Sequence, residues 1–101
     1  MNKEEIKKID FSIEADILKT VGHPVRLKIV AGLIENECCV KDIWGCLELP
    51  QPLVSQHLSI LRNKGIVTAH RDGNRTNYQV SNSLVKVIVA RCMKEKKGLI
   101  L

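Results

Sequence analysis

A mainly α fold with a small β-hairpin, an α+β arrangement of order ααααββα, follows from three features of this sequence. Apolar residues recur at helical spacing both before and after a single stretch where the pattern changes to β-prone runs. That stretch is centred on Asp72-Gly73-Asn74-Arg75, a strong turn signal. Aromatic residues make up only 3% of the 101 residues (Phe11, Trp44, Tyr78), so the core must rest on Ile, Leu and Val, which favours packed helices over a β-sandwich. The length allows one domain over residues 1–101, and its 45% hydrophobic and 27% charged residues are ordinary for a soluble globular chain.

Ile6, Ile9, Ile13 and Ile17 stand at i, i+3, i+7 and i+11 and predict an amphipathic first helix within about residues 5–20. Gly22-His23-Pro24 breaks it, and Pro24 suits the first turn of a second helix, where its missing N–H is not needed. Leu27, Val30, Leu33 and Ile34 form the expected inward side of that helix, which ends near Glu35-Asn36. A short third helix over about residues 40–47 places Val40, Ile43, Trp44 and Leu47 on one stripe, and Leu49-Pro50 stops it. Residues 51–64 form the fourth, with Val54, Leu58 and Leu61 inward and Gly65 just past its end.

Residues 66–71 and 76–80 then read as the two strands of a hairpin. Ser81-Asn82-Ser83 offers capping residues for a last helix over about residues 83–97. Leu84, Ile88 and Cys92 follow one another along it at i+4 steps, flanked by Val85 and Val89. Lys94, Lys96 and Lys97 complement the negative end of its dipole.

The formal charge of +5 and pI near 9.2 point to a polyanionic partner, and the distribution says more than the average. Glu35, Glu37, Asp42 and Glu48 outweigh Lys41, whereas Arg62, Lys64, Arg71 and Arg75 face Asp72 alone. So few aromatics cannot supply the stacking platforms that single-stranded nucleic acid needs. No apolar run approaches membrane-spanning length, the longest (residues 85–90) being broken by Lys86, and Met1-Asn2-Lys3-Glu4-Glu5 lacks the apolar core of a secretion signal. The expected location is the cytoplasm, where four cysteines read as free, metal-binding or redox-sensing.

Two short helices joined by a tight turn and followed by a basic hairpin are the layout of a winged helix-turn-helix, here the helix pair at about 40–64 and the wing at about 66–80. In such a unit the second helix enters the major groove. Its outward face would be Pro52, Gln56, Ser59 and Asn63, with Gln51 and Ser55 at the edge. Gln can bridge adenine N6 and N7, and Ser can serve either a donor or an acceptor. Arg62, Lys64, Arg71 and Arg75 would meet phosphates, with Asn74 at the wing tip.

The run Leu18-Lys19-Thr20-Val21-Gly22-His23-Pro24-Val25-Arg26-Leu27-Lys28-Ile29 resembles the second-helix signature of the ArsR/SmtB family of winged helix-turn-helix repressors. Pro52-Leu53-Val54-Ser55-Gln56-His57-Leu58-Ser59-Ile60-Leu61-Arg62, followed by Lys64-Gly65-Ile66-Val67, resembles its recognition helix, and Arg71-Asp72-Gly73-Asn74-Arg75 with Tyr78 its wing. The resemblance covers about residues 18–80. It implies a sequence-specific DNA-binding repressor that leaves its operator when an inducer binds. It also implies a homodimer joined through the first and last helices, for which Ile6, Ile9, Ile13, Ile17, Leu84 and Ile88 are suited. His57 reads as a packing or phosphate-contacting residue, His23 as a helix-start residue and His70 as a strand residue of the wing.

Members of the family sense metals, metalloids, oxidants or reactive sulfur at different places. A zinc or nickel site on the last helix would need His and carboxylates there, and residues 83–97 hold no His and only Glu95. The arsenic-type site would cluster cysteines at the start of the third helix, where only Cys39 matches and Lys41 and Trp44 stand at further expected thiolate positions. Cys46 lies roughly 10 Å along the helix from Cys39, too far to share an ion, and reads as a small hydrophobe. Cys38 and Cys39 sit at a helix N-terminus, where the dipole lowers a thiol pKa, and Cys92 is their available third partner. They would either hold a thiophilic ion such as As(III) or form a disulfide or polysulfide bridge without any metal. Reactive-sulfur sensors of the family usually carry their first cysteine inside the second helix, where Ala31 stands here.

Two other classes make different demands. A thiol oxidoreductase would want Cys-x-x-Cys after a strand, and Cys38-Cys39 supplies neither. A winged helix that binds proteins would want an apolar or acidic recognition face, and this face is polar with basic flanks.

Overall fold

The computed structural model describes residues 1–35, 45 and 47–100. Its described elements are α1 (Lys3–Lys8), α2 (Ser12–Val21), α3 (Pro24–Glu35), α4 (Gln51–Asn63), β1 (Val67–Asp72), β2 (Arg75–Val80) and α5 (Ser83–Ile100), so among the described residues the order is ααααββα. The helices filling that order differ in one respect from those expected. The isoleucine-striped first helix is divided in two, and the expected helix at 40–47 lies outside the described residues except for Gly45 and Leu47.

The division has a local cause. α1 is capped by Asn2, whose Oδ1 accepts the Glu5 N–H at 2.9 Å, and it ends at Ile9 in an extended conformation. Asp10 then accepts both the backbone N–H of Ser12, at 2.9 Å, and the Ser12 hydroxyl. A short side chain that captures nearby backbone N–H groups competes with the helical ladder, so the chain restarts at Ser12 instead of running through. The stripe is split with it. Ile6 and Ile13 are 53% and 73% exposed, whereas Ile17 packs against the core.

α3 is the central element, packed against α2, α4, α5 and β2. Ile29, Val30 and Leu33 are its buried residues, while Leu27 and Ile34 are only half-buried. Ile29 was not among the expected inward positions. A helix covered on several sides buries more than one stripe, so a single-face reading misses part of its core.

α4 buries Val54, Leu58 and Leu61, as their spacing predicts, and His57 beside them. Its end is a Schellman motif: the Ile66 N–H bonds to the Leu61 carbonyl at 2.9 Å and the Gly65 N–H to the Arg62 carbonyl at 3.0 Å. Gly65 adopts φ +72, and Ile66 and Leu61 are both fully buried. The motif turns the chain directly from the helix into the hairpin.

β1 and β2 pair antiparallel from Val67↔Val80 to Asp72↔Arg75. The turn is therefore Gly73-Asn74 alone, and Asp72 and Arg75 belong to the strands and not to the loop. Gly73 has φ +61 and Asn74 lies outside the positive-φ region, the pattern of a type II′ hairpin. Asn82 caps α5 by accepting the Val85 N–H at 3.0 Å. Val85 and Val89 face the core, which leaves Leu84 and Ile88 half-buried and Cys92 exposed. The helix continues beyond the expected end near residue 97. No described helix is long and apolar enough to cross a membrane.

Urea unfolding of Leu61→Ala is expected to show a loss of about 2–5 kcal/mol, the range for a large-to-small change at a fully buried site. Gly65→Ala should cost about 1–2 kcal/mol, because a Cβ disfavours the left-handed conformation held there.

Candidate nucleic-acid interface

With Val54, Leu58 and Leu61 fully buried, the helical period leaves the other side of α4 to solvent. Gln51, Pro52, Ser55, Gln56, Ser59, Arg62 and Asn63 are all exposed, as is Lys64 immediately after the helix. That surface offers hydroxyls and amides along its length and a guanidinium toward its end. Pro52 lies in the first turn, where backbone N–H groups have no helical acceptor and its missing donor costs nothing.

The hairpin supplies the second basic region. Its base is anchored by buried Val67 and Val80, while its tip carries exposed Arg71, Asn74 and Arg75. β1 packs directly against α4, so helix and wing form one unit. Lys64 stands differently from the arginines: its Nζ is 3.1 Å from Asp16 of α2, with both side chains about half exposed. An exposed pair of this kind is worth less than about 1 kcal/mol, so a phosphate can compete for the ammonium.

His57 is 8% exposed, on the inward side of α4. Its Nδ1 accepts the Arg26 Nε–H at 3.2 Å, and its ring lies 4.7 Å from that of His23, tilted by 46°. Arg26 also donates from Nη1 to the Thr20 carbonyl at 3.0 Å, near the end of α2. His23 opens α3, its Nδ1 accepting the Val25 N–H at 3.1 Å. Burial, and then the neighbouring His23 and Arg26, hold the His57 pKa below its ordinary value. His57 is thus a packing residue, and His23 and His70 occupy the helix start and the strand expected of them. Arg26 had no role in the sequence reading. The signal was its place in the first turn of a helix, where the dipole disfavours a cation unless it has specific acceptors.

Cys92 lies on the exposed side of α5 and lines an apolar cavity of about 310 Å³ together with Leu27, Ala31, Val89 and Met93. Cys38, Cys39 and Cys46 lie outside the described residues.

Residues 23–69, which contain α3, α4 and the start of β1, match the sequence profile of the bacterial regulatory proteins of the arsR family. The transcriptional repressor PagR of Bacillus anthracis is 37% identical over 86 residues, 84% of this chain and 86% of that protein. The chain belongs to the ArsR family. A further relative, the HTH-type transcriptional repressor SmtB of Mycobacterium tuberculosis, is 40% identical over 74 residues, and the chain spans about half of its length (55%). Two solved structures agree in fold. PagR superimposes with a TM-score of 0.76, covering 81% of this chain and 94% of that one. Reduced HlyU from Vibrio cholerae, 30% identical, gives 0.81 over 90% of this chain and 95% of its own.

The depressed His57 pKa sets a direction for stability. The unfolded chain titrates this group near the ordinary value of about 6.5 and the folded chain below it, so in between the unfolded state binds more protons. Stability is level above that window and falls as pH drops through it. Thermal melts should show this decline, reduced in His57→Gln.

Proposed function

We propose that this chain is a sequence-specific DNA-binding transcriptional repressor that acts as a homodimer on double-stranded operator DNA. One observation carries the reading: α4 buries an aliphatic stripe completely and presents Ser55, Gln56, Ser59 and Asn63 outward, beside a hairpin tipped with arginines. Amides and hydroxyls on a rigid helix suit base edges in a major groove, and Arg62, Arg71 and Arg75 suit phosphates. A protein-docking winged helix would want an apolar or acidic surface in that place. SmtB and PagR, both named as repressors, support the assignment, although HlyU is named as an activator.

The dimer reading rests on the apolar surface left at the N-terminus and on α5. Ile6, Phe11, Ile13 and Leu18 are about half exposed or more, as is Val87, and half-buried Leu84 and Ile88 lie on the same helix as Val87. Large apolar side chains left exposed in this number on neighbouring elements support an association site. Ile17 packs against the core of its own chain, so its part in the interface is secondary.

The inducer is sensed through thiols, as either a thiophilic ion such as As(III) or a reactive-sulfur species. Ala31 and Cys92 line the same cavity, so a bridge between these positions of α3 and α5 lacks one thiol. Sensing would therefore join Cys92 to Cys38 or Cys39, within or between subunits. Mass spectrometry after arsenite or a persulfide donor separates the two chemistries: bound arsenic in one case, added sulfur or a cross-link in the other. Unmodified Cys38, Cys39 and Cys92 with unchanged DNA binding under both treatments would exclude both.

Fluorescence anisotropy with a duplex selected by the wild-type chain from a random-sequence pool tests the interface. Gln56→Ala should weaken that duplex by about 1–3 kcal/mol and leave unrelated duplexes unaffected. Arg75→Ala should weaken all duplexes alike and lower the salt slope by about one. In sedimentation equilibrium the wild type should run as a dimer and Ile13→Asp as a folded monomer, since Ile13 supports no core of its own.

A further inference from the structure

We propose that Arg26 is a positioning residue for the DNA-reading helix, holding α4 in register through neutral His57, and that a proton on His57 releases it. This rests on the assignment of α4 as the DNA-reading element. One guanidinium ties three helices: it stands on α3, donates to the Thr20 carbonyl of α2 at 3.0 Å and to His57 Nδ1 of α4 at 3.2 Å. Its contact on α4 is the residue next to Gln56. The planar fork suits such a double donation, which a lysine would not reproduce.

The second bond exists in only one protonation state. Accepting the Arg26 Nε–H requires a lone pair on Nδ1, so the imidazole is neutral and carries its proton on Nε2. Protonation makes Nδ1 a donor facing another donor, in a site 8% exposed, with the His23 ring alongside. Among the described residues, no acid on the elements packed against α4 offsets the added charge. α4 contains no Asp or Glu, and the acid of α3, Glu35, is at its far end beside Lys97. On α2, Asp16 is engaged by Lys64, and Glu14 lies in the first turn, away from Thr20. β1 contributes Asp72 and His70, both exposed, the former at the hairpin tip. The strain is relieved by moving His57, and with it the face that carries Gln56 and Ser55.

The sign of the effect distinguishes this device from general electrostatics. Histidines that merely gain charge strengthen binding to DNA in acid, whereas this pair weakens it.

The experiment measures affinity for a labelled duplex, selected by the wild-type chain from a random-sequence pool, at constant salt from about pH 8 to about pH 5.5. The wild type should lose about tenfold or more, the factor that one pH unit of differential protonation carries. In His57→Gln the amide oxygen still accepts from Arg26 but does not titrate, so neutral binding should persist and the acid loss vanish. Arg26→Met should bind more weakly at neutral pH, with a thermal melt confirming the fold, and should also lack the acid loss. Wild-type binding that is flat or tighter in acid overturns the proposal, as does an undiminished acid loss in either variant. If the wild type selects no duplex at any pH, the DNA-binding assignment has failed. The hold on α4 is then decided by hydrogen exchange of the α4 amides, corrected for intrinsic rates. Acid-enhanced exchange in the wild type and not in His57→Gln sustains it; equal exchange overturns it.

Discussion

The polar face and the hairpin depend on how completely α4 buries one side. Val54, Leu58 and Leu61 have no measurable contact with solvent beyond 1%, and they are set against a central helix that is itself enclosed by α2, α5 and β2. A side chain so enclosed makes dozens of contacts, each small, whose sum fixes the rotation of the helix about its axis. The opposite face is thereby directed outward. Its hydroxyls and amides stand where the aliphatic stripe puts them, and the Schellman end at Gly65 delivers the chain straight into the hairpin. Reader and wing are thereby parts of one packed object.

Polar contacts add to that arrangement in two different ways. The Lys64–Asp16 pair is exposed and weak, which would suit the exchange of a carboxylate for a phosphate in the proposed DNA complex. The Arg26–His57 contact is of the opposite kind, sheltered and specific to a neutral imidazole. One is easily traded and stands just past the end of α4; the other is sensitive to protons and lies midway along its buried side.

The remaining apolar surface is distributed unevenly. α1 and the start of α2 contribute almost nothing to the core, yet they carry Ile6, Phe11 and Ile13 in the open. Burying them on a second copy would stabilise the N-terminal helices, which otherwise rest on local caps at Asn2 and Asp10. In the proposed dimer these residues would be covered together, and α5 is the element shared by the core, the apolar surface and the Cys92 cavity.

Local chemistry made much of this legible from residues alone. The α4 stripe, the Gly65 stop, the Gly73-Asn74 turn and the Asn82 cap each depend on a few neighbours in sequence, so spacing and residue type were enough to determine α4, the hairpin, the exposed polar face and the family. Spacing failed where two local signals competed, as at Asp10, whose side-chain hydrogen bonds to Ser12 overrode an unbroken isoleucine period. It also failed where burial came from several directions at once. Ile29 is buried although it stands outside the expected inward stripe, because the neighbours of α3 come from distant parts of the chain. The meeting of Arg26 with His57, 31 residues apart, is likewise a product of three helices converging. Periodicity states which residues share a face; only tertiary packing decides which face is covered, and by what.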